Sequence, residues 1–565
     1  MTVPRGSTPA GRSSLPVSIA AMATFDAVFV GSGINALAGA ALLAKQGWSV
    51  CVLERNDRLG GAIRTETDYT LPGFTHEVLS SWHPLFQGSA AYAELADDLH
   101  RHGLEYVNTE QPTATAFPDG RAAFLGTTME ANVTELDRHA PGDGEAWQRQ
   151  FEEFVAHADL SFGVLDTELW SGAGLGLGRT MLRRFGRRGL LGFAGGALAT
   201  CRDWTTATFA SEETHGLLAP WVLHTGLGPD NAVSGFMTRV IACAVQLGGM
   251  PVPVGGGVTL VEALAAIVRG AGGELRTDAH VERIVVSEGK AVGVVVAGER
   301  VDAHMAVVAG VTPTQLYGSL LSRGAVPDGV ALAAKRYRYG RAGMQIHLAL
   351  AEPPRWKGPD AGRLSQTAIV HVTPGLDGVS RAVNEAERGL LPAEATIVAG
   401  QPCALDPARA PDGKSILWIQ LQELPAGRVK GDALAELDVG DGTWTEELRE
   451  AYADRIVARL GDSIENLGSA TLKRIVLSPA DLEQLNCNLV AGDLYAGSCA
   501  LDQNLLWRPF AEAPGHATAV EGLYHIGACT HPGPGLGAGS GYLVAKLLTR
   551  PPLPRRLLAK LPGRS

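Results

Sequence analysis

The chain has 565 residues, 45% of them hydrophobic and 19% charged, which is enough to bury a large core and to form two domains, one interrupting the other. Its net charge of −11 gives no footing for a nucleic-acid partner. Seven scattered cysteines without a C-x-x-C pair exclude a redox dithiol and a zinc knuckle, fit a reducing compartment and point to no metal site.

Residues 1–24 are rich in Pro, Ser and Gly and are expected to form a disordered leader, with a start at Met22 as the alternative. Arg5 and Arg12 ahead of the weak apolar patch Leu15–Ala23 have the order of a secretory signal, but Pro16 and Ser18 interrupt it. No apolar stretch reaches the roughly 20 residues that span a bilayer, so the expected location is cytoplasmic.

Phe25–Val30 is an apolar run of the kind that makes a buried parallel strand. It ends in Gly31-Ser32-Gly33-Ile34-Asn35-Ala36, a G-x-G-x-x-A turn. Asn35–Gln46 is predicted as a helix of small residues stopped by Gly47, and Ser49–Leu53 as a second strand ending in Glu54, with Arg55 beside it. Gly31 makes the tight turn, Gly33 lets backbone approach a pyrophosphate, and Ala36 permits close packing of helix on strand. The helix N-terminus offers free N–H groups and a positive dipole end to the phosphates, and Glu54 is placed to bond a ribose hydroxyl. Strand, turn, helix, strand and acid in that order are far more specific than the glycines alone. An acid rather than a basic residue at Glu54 argues against NADP. The second glycine pair, Arg58-Leu59-Gly60-Gly61, has no use in a nicotinamide dehydrogenase but serves a flavin enzyme, so the cofactor expected is FAD.

Tyr69–Phe86 carries His76, Glu77, Trp82 and His83 past the reacting end of such a cofactor. Residues 91–160 read as helical, with a small hairpin at Pro118-Asp119-Gly120 and a core face of Trp147, Phe151, Phe154 and Val155. In residues 170–200, Arg179, Arg183, Arg184, Arg187 and Arg188 interleave with leucines; the first reading is a solvated basic helix covering a core, the second a peripheral membrane contact through 179–191. Pro251-Val-Pro-Val-Gly255-Gly256-Gly257 opens a helix ended by Gly272-Gly273, and strands are predicted at Ala279–Val286, Ala291–Ala297 and Arg300–Ala309. Since no strand–turn–helix–strand–acid order surrounds that turn, one nucleotide site is expected. Gly343–Leu350 and Ile416–Leu421 read as strands, with the loop Asp406–Gly413 between them, and Glu446–Arg459 as a helix. Gly522–Ile526 is a strand entering Gly527–Gly541, a turn built mostly of glycine and alanine, so that backbone passes something bulky and flat at close range.

These three glycine-rich segments, with Asp406-Pro407, Arg409-Ala410-Pro411 and Gly413, resemble the phytoene-desaturase-like flavoprotein oxidoreductases, a group that takes in carotenoid desaturases, carotenoid isomerase, retinol saturase and the branch named pyridine nucleotide-disulphide oxidoreductase domain-containing protein 2. The likeness runs over about residues 25 to 548. It implies an α/β fold of glutathione-reductase type, with a discontinuous Rossmann-like FAD domain (25–90, 251–325 and 520–550) and an α+β substrate domain (91–250 and 326–519). It also implies the FAD diphosphate at Gly31–Ala36, Asn35 included, and at Gly60, Gly61 and Ala62. Ribose would lie at Glu54, adenine at the Val281 backbone, and the flavin end at Gly527, Ala528, Gly537 and Ala538. Ala62 and Gly249-Met250 depart from the usual arginine and Gly-Trp of the group.

The activity expected is FAD-dependent oxidation (dehydrogenase, desaturase or oxidase) of a largely apolar small molecule, with a hydride passing to flavin N5 and reoxidation by dioxygen or a quinone. A flavin amine oxidase and a non-enzymatic binder like the GDP-dissociation inhibitors are the alternatives. His83 and His531 are the side chains expected nearest the chemistry, each with a hydrogen-bonded structural role as its alternative. No G-x-S-x-G elbow is present.

Overall fold

The structure is a computed structural model and describes residues 24–550. The expected leader lies outside the described residues except for Thr24, which already belongs to the first strand. Strand β1 (Thr24–Val30), helix α1 (Ile34–Lys45) and strand β2 (Val50–Leu53) form the expected opening unit. The chain then leaves for a hairpin, β3 (Thr113–Ala116) and β4 (Ala122–Leu125), and for a helical layer that includes α2 (Gly172–Ala197) and α3 (Ser234–Gly248). It returns through α4 (Val258–Gly270) to β5 (Glu274–Arg276), β6 (Val281–Ser287), β7 (Lys290–Val296) and β8 (Glu299–Ala309). A second departure supplies β9 (Ala342–Leu350), β10 (Ile369–Val372), β11 (Ile397–Gly400), β12 (Ser415–Leu424) and β13 (Thr471–Leu477). Strand β14 (Leu523–His525) and helix α5 (Gly539–Leu548) close the circuit.

The first sheet has the order β6-β7-β8-β1-β2-β5, with β14 also on β8. Its centre is parallel: β1 pairs with β2 and β8, β2 with β5, and β8 with β14. A parallel centre is covered on both faces, which is why Val28–Val30 and Val50–Leu53 are continuously apolar rather than alternating. Phe29, Val52 and Val308 face α1, α4 and α5, whereas Val28, Cys51 and Val307 face the apolar residues of β6, β7 and the 316–320 turn. Burial pushes the Cys51 thiol up to about 12, so it acts as a small apolar filler.

The second sheet has the order β13-β9-β12-β11-β10-β3-β4. The hairpin expected at Pro118–Gly120 is therefore the far edge of this sheet, joined to it by the parallel pair β3–β10. One face of β9 and β12 (Met344, Ile346, Leu348; Leu417, Ile419, Leu421) packs on the helix Glu446–Ser463 through Leu448, Tyr452, Ile456 and Leu460. The other face, with Gln345, Trp418, Gln420 and Gln422, forms part of a cavity wall shared with the first sheet.

Two expectations need correction. In the helix Asp143–Ala156, Trp147 and Phe154 are buried but Val155 is 47% exposed, one position round from the core face. Helix α2 covers no core: none of its residues is buried, and Gly186 breaks it with φ 63° and ψ 178°.

Candidate active site

The site begins where β1 enters the glycine turn. Gly31 has φ +91°, and a methyl group on Gly33 would meet nothing within 4 Å, so the backbone there borders open space. Behind it a polar knot sets the loop. The buried Glu54 carboxylate accepts from the Ser32 amide (3.0 Å) and hydroxyl (2.6 Å) through one oxygen, and from the Asn56 amide (2.9 Å) through the other. Ser32 Oγ in turn accepts from the Gly60 amide at 3.1 Å. The first glycine turn, the acid and the second glycine pair are thus one hydrogen-bonded unit. Gly61 has φ +62°, and its Cβ would lie 3.0 Å from the Gly33 Cα.

The C-terminal glycine turn is tied to the same place. Asn35 Oδ1 accepts from Ser540 Oγ at 2.8 Å, and Ser540 Oγ accepts from the Gly527 amide at 2.9 Å. Helices α1 and α5 touch backbone to backbone: a Cβ on Gly541 would lie 1.8 Å from the Asn35 carbonyl oxygen, and one on Gly39 would lie 3.1 Å from the Gly541 carbonyl. Close packing expected at Ala36 is therefore most severe at Gly39 and Gly541.

Along these turns runs a cavity of about 610 Å³. Gly31, Gly33, Asn35, Ala36, Glu54, Arg55, Gly61, Ala62, Val281, Gly527 and Ala528 line it. Gly60 does not; its Cβ position points at the Ile63 carbonyl and Val261. Gly537 and Ala538 also lie behind the wall, the latter buried as the residue preceding α5, and Gly533–Leu536 line the cavity in their place. The opposite end is walled by Trp82, Trp221, His224, Gln345, Trp418 and Gln422, contributed by the loop before Pro84, the helical layer and the second sheet.

His83 and His531 do not line the cavity. His83 is 1% exposed, its Nδ1 lies 3.3 Å from the Tyr106 hydroxyl, and burial together with Arg409 pushes it down to about 3. His531 Nε2 bonds the Val164 carbonyl at 2.9 Å, and burial pushes this ring down to about 4. Each ring makes one hydrogen bond within the protein, and His83 Nε2 and His531 Nδ1 are buried without a partner. The histidines that do line the cavity are His280, beside Val281, and His224 at the aromatic end, which periodicity could not distinguish from a core residue. The Trp418-x-Gln420-x-Gln422 alternation was the available signal, since polar residues on a strand flanked by Leu417, Ile419 and Leu421 mark a face turned to something other than core.

The remaining motifs meet in a buried ion network. Arg409, 1% exposed, donates to Glu77 Oε1 (2.9 Å), Asp406 Oδ2 (3.1 Å) and the Pro253 carbonyl (2.6 Å). Glu77 also accepts from the Gly257 amide at 2.9 Å, and Asp406 from the Gly255 amide at 3.0 Å. The Pro251–Gly257 turn is thus clamped by loops from two distant parts of the chain, and its glycines admit Thr65 and Ile63 at contact distance.

The residues present fit FAD: a glycine turn bordering open space, a helix N-terminus with no acid in its first turn, a carboxylate at the end of β2, and a long cavity ending among aromatic side chains. The comparisons agree. Residues 30–103 match the NAD(P)-binding Rossmann-like domain model. One of the subunits of limonene dehydrogenase from Castellaniella defragrans is 25% identical over 544 residues, covering 93% of this chain and 94% of that protein. Pyridine nucleotide-disulfide oxidoreductase domain-containing protein 2 of Rattus norvegicus is 26% identical over 562 residues, with 93% of each covered. Over nearly its whole length the chain is similar to the phytoene-desaturase-like FAD-dependent oxidoreductases. Among solved structures, cyclohexylamine oxidase from Brevibacterium oxydans shares the fold, with a TM-score of 0.55 and 17% identity over 93% of this chain and 98% of that one. The protein is an FAD-dependent oxidoreductase. No helix among its described residues is long and apolar enough to cross a membrane.

Proposed function

We propose that this phytoene-desaturase-like enzyme oxidises a largely apolar small molecule held between the C-terminal glycine turn and the face of the second sheet. The observation that carries this reading is one continuous cavity bordered by Gly31–Ala36 and Glu54 at one end and by Trp82, Trp221 and Trp418 at the other. FAD, when bound, supplies the two-electron acceptor at its N5. Gly31, Gly33, Asn35, Gly61 and Ala62 would carry the diphosphate, Glu54 the ribose, Val281 the adenine, and Gly527 and Ala528 the flavin end. Residues 25–90, 251–325 and 520–550 would make the FAD domain, and 91–250 with 326–519 the substrate domain. Reoxidation would fall to dioxygen or a quinone.

An amine substrate is disfavoured by charge. The acidic residues lining the cavity are Glu54 and Glu282, both at the adenosine end, so an ammonium group would find no carboxylate near the aromatic wall. The test is anaerobic mixing of purified yellow protein with terpenes, polyenes and amines. Bleaching by the apolar compounds without NAD(P)H supports the reading; colourless protein that takes up no FAD, or bleaching by amines alone, overturns it. Glu54→Ala should weaken FAD by roughly 1.5–3 kcal/mol, the worth of hydrogen bonds to a charged group.

Helix α2 would contact an anionic membrane surface. Leu175 and Leu191 are 73% and 74% exposed, Trp170 is 61% exposed, and Arg179, Arg183, Arg187 and Arg188 share the same segment. Arg184 is spoken for by its two bonds to Asp159 (2.7 and 2.9 Å). Anionic vesicles should sediment the protein at low salt and release it at high salt, and serine at the four other arginines should abolish this.

A further inference from the structure

The far wall of the cavity is not purely apolar, and its polar atoms are organised. Gln345 of β9 sits opposite Gln420 of β12, and the same cross-strand row continues through Val398 of β11 to His371 of β10. Gln422, two residues along the same face of β12, donates through Nε2 to Gln420 Oε1 at 2.9 Å. His371 Nε2 meets His224 Nε2 at 3.0 Å, and His224 Nδ1 lies 3.4 Å from the Gln422 amide. Trp221 packs on both imidazoles, with ring centroids 4.7 and 5.0 Å away.

A bond between two identical ring nitrogens needs one to carry hydrogen and the other not, so the histidines hold opposite tautomers and fix each other's orientation. Whichever way that proton lies, five buried polar atoms on cavity-lining residues have no partner in the protein: the Trp221 indole N–H and the amide oxygens of Gln345 and Gln422 on this wall, and the Ser81 hydroxyl and Trp82 indole N–H in the loop before Pro84. Trp221, Gln345 and Gln422 are 3%, 1% and 4% exposed. An unpaired polar atom at such depth is destabilising, a penalty that leucine or phenylalanine would avoid in a site serving hydrocarbon alone.

The unpaired set contains two indole donors, a hydroxyl and two amide acceptors. A hydroxyl both accepts and donates and so answers both kinds, a carbonyl answers only the donor, and a hydrocarbon answers neither. Resting on the oxidoreductase reading above, we propose that the Gln345–Gln420–Gln422 row with Trp221 and His224 recognises a hydroxyl group on an otherwise apolar substrate, and that His371 is a positioning residue for His224. The neighbouring Ile241, Ala244, Val245, Ile369 and Leu494 would take the hydrocarbon body.

The experiment uses FAD-loaded enzyme and matched ligands on one carbon skeleton (hydrocarbon, aldehyde and alcohol) in C10 and C20 sizes. Binding is read by the shift of the visible flavin spectrum and by quenching of tryptophan fluorescence. In the parent enzyme the alcohol should bind about tenfold or more tightly than the hydrocarbon, with the aldehyde between them. Gln422→Leu and Gln420→Leu should erase that preference while leaving hydrocarbon binding within about twofold. Equal affinities for alcohol and hydrocarbon in the parent enzyme, which need no variant to fold, overturn the proposal. So does a preference that survives both leucine substitutions, or no binding of any alcohol in the series. Absorbance and dithionite reduction of bound FAD, measured first, separate the outcomes: colourless protein overturns the oxidoreductase reading and this one with it, whereas yellow protein indifferent to the hydroxyl overturns only this one.

Discussion

Glu54 and Gly541 show how single residues set the site. Glu54 was expected to reach a ribose; its carboxylate also takes three hydrogen bonds from Ser32 and Asn56, so it shapes the turn that the phosphates would meet. Gly541 has no special φ, yet its missing side chain is what lets α5 lie against α1. A methyl group placed 1.8 Å from the Asn35 carbonyl cannot be relieved by a rotamer change, because the obstacle is backbone. Gly541→Ala should therefore cost about 1–3 kcal/mol or more in urea unfolding and also loosen FAD, since the Asn35–Ser540–Gly527 bonds cross the same contact. His83 illustrates the reverse. A general base removed should cost about 10²–10⁴-fold in rate, but a buried ring bonded to Tyr106 should not, so His83→Leu is expected to keep the rate of anaerobic flavin reduction within about tenfold.

At the level of elements, the glycine turn before α4 gains its shape from partners remote in sequence. Arg409 is a planar donor held by a carboxylate on each side and a carbonyl, and replacing it with methionine leaves Glu77 and Asp406 buried without their counter-charge. The expected loss is about 3–5 kcal/mol, read as a lower urea midpoint. Arg409→Lys should not rescue it, because one ammonium cannot reproduce the fork that serves Glu77, Asp406 and the Pro253 carbonyl together. Helix α2 stands at the other extreme, glycine-rich, broken at Gly186 and without a buried residue. Its helical period was legible in the sequence, but the partner of its leucines was not.

For the whole molecule, buried titratable groups set the response to pH. Seven histidines are held neutral by burial: His76 and His83 are pushed down to about 3, His224, His347, His525 and His531 to about 4, and His371 well below its ordinary value. Unfolded, these rings take up protons below about pH 6.5. Their stabilisation is complete above that pH and is lost as pH falls from 6.5 towards 4 and 3. Glu423 acts in the opposite sense. Burial raises it from 4.5 to about 7, so its contribution is complete below pH 4.5 and is lost as pH rises from 4.5 to 7. The seven rings outweigh Glu423 and the Asp166 and Asp493 carboxyls, which burial also raises, and urea midpoints should rise with pH between 4.5 and 6.5. Glu423→Gln should leave the acid side unchanged and add on the order of 3 kcal/mol at pH 8. The sequence by itself determined the nucleotide end of this protein, because a β-strand, a tight turn, a helix start and an acid within about thirty residues are a local geometry that only certain residue types can make. It also determined β6, β7, β8, β9, β12 and β14 to within a few residues, through apolar runs and alternation, but not β5, β10, β11 or β13. What only the tertiary structure decided is where distant motifs meet. Arg409 with Glu77, Gly39 with Gly541, and His224 with His371 are pairs far apart in the chain, and no local periodicity encodes which buried face a polar side chain will find across a cavity.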